Sequence, residues 1–260
     1  MSILVLSFIC LQANGQKLST EQVQNNIDKV FELNKKMETK IASWRDWDIR
    51  LSPDSVVFLK NDYTNVILDL INNTEKEATP QQNVLLQYYK LAVSKNNLSL
   101  LRLNGYMQEA KEFSKNYEEV LAYKPKLDGM AITNGVLRNI SRDKIDILQY
   151  KYLYQIHLLA HDLKDKPLMV STSKRLIMNK RASIYNQSVA ALYLFNNEIT
   201  RSKKFDYGVV FIEKYAVFSD EERGKFNWEA ILAKDSFSAH FFQAAVNKWT
   251  TNKEDLKAQE

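Results

Sequence analysis

The run Ala190 to Lys214, AALYLFNNEITRSKKFDYGVVFIEK, sets apolar residues at helical spacing on both sides of a short polar break. Two helices joined so tightly pack antiparallel, and a pair of this size cannot bury its apolar faces alone. It must stack on neighbours, so this run constrains the whole chain toward layered helices. Punctuation agrees: six glycines and four prolines over 260 residues are too few for the turns of an all-β protein. The expected class is all-α, built of antiparallel helical hairpins. A composition 45% hydrophobic and 26% charged excludes extended disorder.

The first fifteen residues, MSILVLSFICLQANG, carry no charged side chain and hold an apolar run from Ile3 to Leu11. Ala13 and Gly15 are small, as signal peptidase requires. Residues 1–15 therefore read as an export signal cleaved before Gln16, although no Lys or Arg precedes the apolar run. That run is about half of the roughly 20 residues that cross a hydrocarbon core. Cys10, the only cysteine, follows Ser7-Phe8-Ile9 rather than the small residues of a lipid-anchor site. A chain cleaved at Gln16 has no thiol, which removes disulfides, thiolate metal sites and cysteine nucleophiles together. The expected location is periplasmic or secreted, with no stable membrane insertion of the mature chain.

Ser19-Thr20-Glu21-Gln22 has the pattern of a capping box, and Val23, Ile27, Val30, Met37, Ile41 and Trp44 predict one long amphipathic helix ending near Trp47. After the break at Ser52-Pro53-Asp54-Ser55, Val56 to Leu70 marks a second helix. Thr79-Pro80 starts a third, running to about Ser94 or beyond with Asn96-Asn97 as a candidate break. Asn104-Gly105 leads into a fourth from Met107 to Ala122, and Pro125 closes it. Leu127 to Ile140 holds two glycines and a weaker helical pattern. Beyond it the spacing predicts helices over Asp143 to Leu163, Pro167 to Asn179, Gln187 to Arg201, Asp206 to Phe218 and Trp228 to Trp249. No low-complexity linker divides residues 16–260, so one continuous stack is expected.

Ala190 to Asp220 resembles a tetratricopeptide repeat: Leu192, Phe195 and Ile199 stand at its bulky first-helix positions, and Gly208 and Ile212 at its small and large second-helix positions. Asn196, Tyr215 and Asp220 depart from the pattern. Leu153, Ile156, Ala160 and Leu176 take similar roles one unit earlier, although Met169 replaces the small residue, and Gly105 to Ala110 holds a third trace. The small positions Ala110, Met169 and Gly208 lie 59 and 39 residues apart, against the family's 34. The resemblance implies an irregular TPR-like α-solenoid, with 143–250 its most TPR-like part. It also implies a groove formed mainly by the first helix of each hairpin, with Lys151, Tyr154, His161 and Asp162 facing outward in one unit and Tyr193, Asn197, Thr200 and Arg201 in the next.

Catalytic patterns are scarce. His157 and His161 share a helical face, but their run, HLLAH, lacks the Glu that serves as general base in the zincin pattern. Asp162 is badly angled to complete a metal site. No G-x-S-x-G, partnered S-x-x-K or phosphate-cradling glycine loop occurs. Glu118-Glu119 and Glu221-Glu222 are adjacent pairs that do not face one another on a helix. No catalytic residue, cofactor or metal is assigned.

Charge is concentrated: between Lys164 and Lys204 nine basic residues face only Asp165 and Glu198, a local charge of +7 in a chain whose total is +5. These cations are expected to gather along one edge of the stack and draw an acidic partner. Nucleic acid is a poor candidate for an exported chain. The sequence thus points to an exported, non-enzymatic scaffold binding a protein or peptide through Tyr154, His161, Tyr193, Asn197, Arg201, Lys203 and Lys204. The alternatives are an extracytoplasmic sensor module and an all-α enzyme.

Overall fold

A computed structural model of the chain describes residues 17–45, 51–122, 140–219, 221 and 224. Among the described residues the only regular structure is helical. α1 (Thr20–Arg45) starts at the expected capping box: Ser19 N donates to Gln22 Oε1 at 2.8 Å and Gln22 N to Ser19 Oγ at 3.2 Å. Val23, Ile27, Val30 and Met37 form its buried stripe. α2 (Pro53–Leu59) is capped by Ser52 and runs through one π-helical stretch, Lys60–Asn65, into α3 (Val66–Thr74). The wider turn keeps Tyr63 and Thr64 buried between Leu59 and Ile67.

α4 (Pro80–Leu103) opens on a second capping box, Thr79 with Gln82. It continues through Asn96-Asn97, where a break was a candidate. Both asparagines are buried, and Asn97 Oδ1 accepts from Thr64 Oγ1 at 3.2 Å. A tertiary partner thus offsets the poor helix propensity of asparagine. α4 ends where Gly105, at φ 83°, takes the left-handed position: Tyr106 N reaches Leu101 O and Gly105 N reaches Arg102 O. The expected fourth helix is α5 (Met107–Phe113) and α6 (Tyr117–Ala122), separated by a single 3-10 turn.

α7 (Arg142–Asp162), α8 (Lys166–Ile177), α9 (Ile184–Asn197) and α10 (Arg201–Ala216) follow, each packed antiparallel against the next. Two boundaries differ from expectation. α9 begins at Ile184 rather than Gln187, because Ser183 caps it through Asn186 N. It stops at Asn197, four residues early, because the Glu198 carboxylate accepts the backbone N–H groups of Ile199 and Thr200 and fixes the turn there. Arg201-Ser202-Lys203-Lys204 is therefore the first turn of α10 and not the loop. Ile199, read as a bulky packing position, lies in that turn and is 94% exposed.

The main core joins α1 through α7, with Leu59, Ile67, Leu86, Leu98 and Tyr152 among its buried members. A small cluster of Leu153, Leu176, Ala182 and Ala190 links α7, α8 and α9, and Ala191, Phe195, Phe211 and Ile212 close α9 on α10. Among the described residues no helix is long and apolar enough to cross a membrane. The expected helix end at Trp47, residues 127–139 and the helix from Trp228 to Trp249 lie outside the described residues.

Candidate functional site

α7 and α9 both lie against α8, so they run in the same direction, and Asn186 Nδ2 in the first turn of α9 donates to Tyr150 Oη in the middle of α7 at 2.8 Å. Farther along, a cleft of about 270 Å³ opens between them. Helical spacing sets one wall, since Tyr154, His157, Leu158 and His161 fall on one side of α7 at intervals of three and four. Tyr185, Asn186, Val189 and Tyr193 form the α9 wall for the same reason, and Met169 and Leu176 of α8 complete the lining. Leu176 is fully buried and anchors the floor.

His157 is the buried polar group of this cleft, 8% exposed. Its Nδ1 lies 3.0 Å from Thr172 Oγ1, and that hydroxyl also sits 2.8 Å from Leu168 O. A hydroxyl has one hydrogen, and the carbonyl can only accept. Thr172 therefore donates to Leu168, His157 Nδ1–H donates to Thr172, and Nε2 is left as an acceptor. Burial, with a smaller contribution from His161, lowers the imidazole pKa to about 4, so the ring is neutral at physiological pH. Burial likewise pushes the Tyr154 and Tyr193 hydroxyls upward, which keeps them protonated and able to donate.

His161, one turn on, is exposed at the rim, its Nδ1 3.6 Å from Asp162 Oδ1. The other oxygen of Asp162 accepts from Arg102 Nη1 at 3.0 Å, joining the end of α4 to the end of α7. The two histidines on one face are thus in different environments, one dry and one wet. Among the described residues no group of three or more His, Cys, Asp or Glu is placed to hold a metal ion.

Of the residues proposed from sequence, Tyr154, His161 and Tyr193 come together at this cleft. Asn197 lies beyond its end, exposed, with Nδ2 donating to Tyr193 O at 2.8 Å. Arg201 and Lys203 are exposed in the first turn of α10, and Lys204 Nζ lies 5.0 Å over the Phe195 ring, so this trio does not line the cleft. His157 and Asn186 were missed. The HLLAH pair marks His157 as a candidate metal ligand or a helix-packing residue and not as a contact for a partner, although its spacing of three from Tyr154 and four from His161 puts it on the same wall. Asn186 fell before the expected start of α9.

The basic stretch is not one edge. Successive turns of antiparallel helices fall at opposite ends, so Lys164 and Lys166 share an end with Arg201, Lys203 and Lys204, while Lys180 and Arg181 stand at the other. There Arg181 pairs with Asp143, and Arg175 Nη2 reaches Glu118 Oε1 at 3.1 Å. Comparison with protein-family models, with curated proteins and with solved structures finds no match.

Proposed function

We propose that this chain is an exported, non-enzymatic scaffold whose α7–α8 and α9–α10 hairpins act as TPR-like units and capture an acidic peptide segment of a partner protein. The observation that carries this reading is the cleft between α7 and α9. At about 270 Å³ it falls below the roughly 300–1,000 Å³ of pockets that enclose small-molecule ligands, and suits one or two side chains of a larger partner. Tyrosines on both walls offer broad contact area and hydrogen bonds at low entropic cost.

Charge at the far end of the cleft supports an acidic segment. Three carboxylates there have local partners: Asp162 with Arg102, Asp165 with Leu168 N, and Glu198 with two backbone amides. Lys164, Lys166 and Lys203 are exposed at the same end, giving it a positive field that steers an acid inward.

Selection of random dodecapeptides displayed on phage against the purified chain tests this. Acidic sequences are expected to be enriched, with affinity falling as salt is raised and falling at least tenfold in Tyr193→Ala. Selection of neutral or basic sequences, or peptides indifferent to both salt and Tyr193→Ala, counts against the reading.

A further inference from the structure

We infer that the cleft between α7 and α9 takes one aromatic side chain that carries its own hydrogen-bond donor, the indole of Trp or the phenol of Tyr, with His157 Nε2 as the acceptor that selects it. This rests on the peptide-capture reading and names the anchor residue of that partner.

Three observations converge on it. The walls are aromatic and aliphatic, with Tyr154 and Leu158 on the α7 side and Tyr185, Val189 and Tyr193 on the α9 side, which suits a flat ring. The α9 wall is neutral, since no charged residue lies between Arg181 and Glu198, so a charged anchor would be desolvated there without a counter-ion. The largely buried ring is oriented from behind: with the Thr172 hydroxyl hydrogen on Leu168 O, Thr172 Oγ1 takes the His157 Nδ1 hydrogen, and Nε2 is therefore the ring's lone-pair site. Burial lowers the pKa of His157 to about 4, so a proton does not occupy that lone pair at neutral pH.

An anchor without a donor leaves Nε2 buried and unpaired, whereas an indole N–H or phenol O–H satisfies it. One neutral hydrogen bond of this kind corresponds to about fivefold in affinity. Discrimination by a site built to receive a donor exceeds that of apolar contact alone, because rejection comes from the site's own unpaired atom.

The test uses the full chain and three probes, N-acetyl-tryptophanamide, N-acetyl-tyrosinamide and N-acetyl-phenylalaninamide, titrated while amide and methyl NMR shifts are followed. The Trp and Tyr probes are expected to shift Leu158, Val189 and Tyr193 and to bind about fivefold tighter than the Phe probe. His157→Phe is expected to abolish that preference. Thr172→Val, a milder change that frees Nδ1 and lets the tautomers exchange, reduces it even if His157→Phe fails to fold. Equal affinity of the three probes at the cleft overturns the anchor assignment and leaves peptide capture standing. Absence of any shift at the cleft, together with displayed peptides that map elsewhere on the chain, overturns both.

Discussion

His157 couples the stability of the fold to pH through a single buried ring. Its pKa is about 4 in the folded chain, against 6.5 when exposed in the unfolded one. Between those values the unfolded chain binds more protons, so stability falls as pH falls. The contribution is complete above pH 6.5, is lost progressively toward pH 4, and amounts to about 3 kcal/mol. Carboxylates titrate in the same window, so the informative quantity is a difference. Urea denaturation of the chain and of His157→Phe at pH 7.5 and at pH 4.5 is expected to show the unsubstituted chain losing about 2–3 kcal/mol more than the variant. Equal losses would place the ring in contact with solvent. The face that holds this residue could be read from sequence, because Tyr154, His157 and His161 are spaced by three and four. Its burial could not, since Thr172 and Asn186 come from other helices and local spacing carries no record of them.

At the level of the helices, ends were easier to read than interiors, because a cap is a local chemical event. Ser19 with Gln22, Thr79 with Gln82 and Gly105 each satisfy backbone groups within a few residues of themselves. Asn96-Asn97 misled because the contact that keeps α4 continuous there is made by Thr64, 33 residues away. The α7–α8 turn shows the opposite deviation. It has the hydrogen bonds of the Gly105 turn, Lys164 N to His161 O and Asp165 N to Ala160 O, yet its left-handed position holds Lys164 at φ 54°. A side chain there costs about 1 kcal/mol relative to glycine. Lys164→Gly is accordingly expected to raise stability by about 1 kcal/mol in urea denaturation, without changing the far-ultraviolet circular dichroism. A neutral or destabilising result would mean that the Lys164 side chain makes a compensating contact.

Across the whole molecule, the class of fold could be read from sparse glycine and proline together with helical spacing, whereas the distribution of charge could not, because it depends on which end each turn occupies. Connectivity also sets how stability is shared. Among the described residues, past α7 each helix packs mainly on its sequence neighbours, and a buried link between the main core and the α9–α10 pair runs through Leu153, Leu176, Ala182 and Ala190. Two of these are alanines, so Leu153 and Leu176 supply most of the buried volume. Leu176 is fully buried and also floors the cleft. Truncating it removes apolar contact and leaves a cavity, a combination that costs about 2–5 kcal/mol. In a structure of near-neighbour contacts, such a loss loosens what lies beyond the weakened junction more than what lies before it. Hydrogen exchange of Leu176→Ala is therefore expected to accelerate in α9 and α10 by a larger factor than in α1 and α4. Uniform acceleration across all four helices would instead show that the chain opens as one cooperative unit, with the cleft as firmly held as the core.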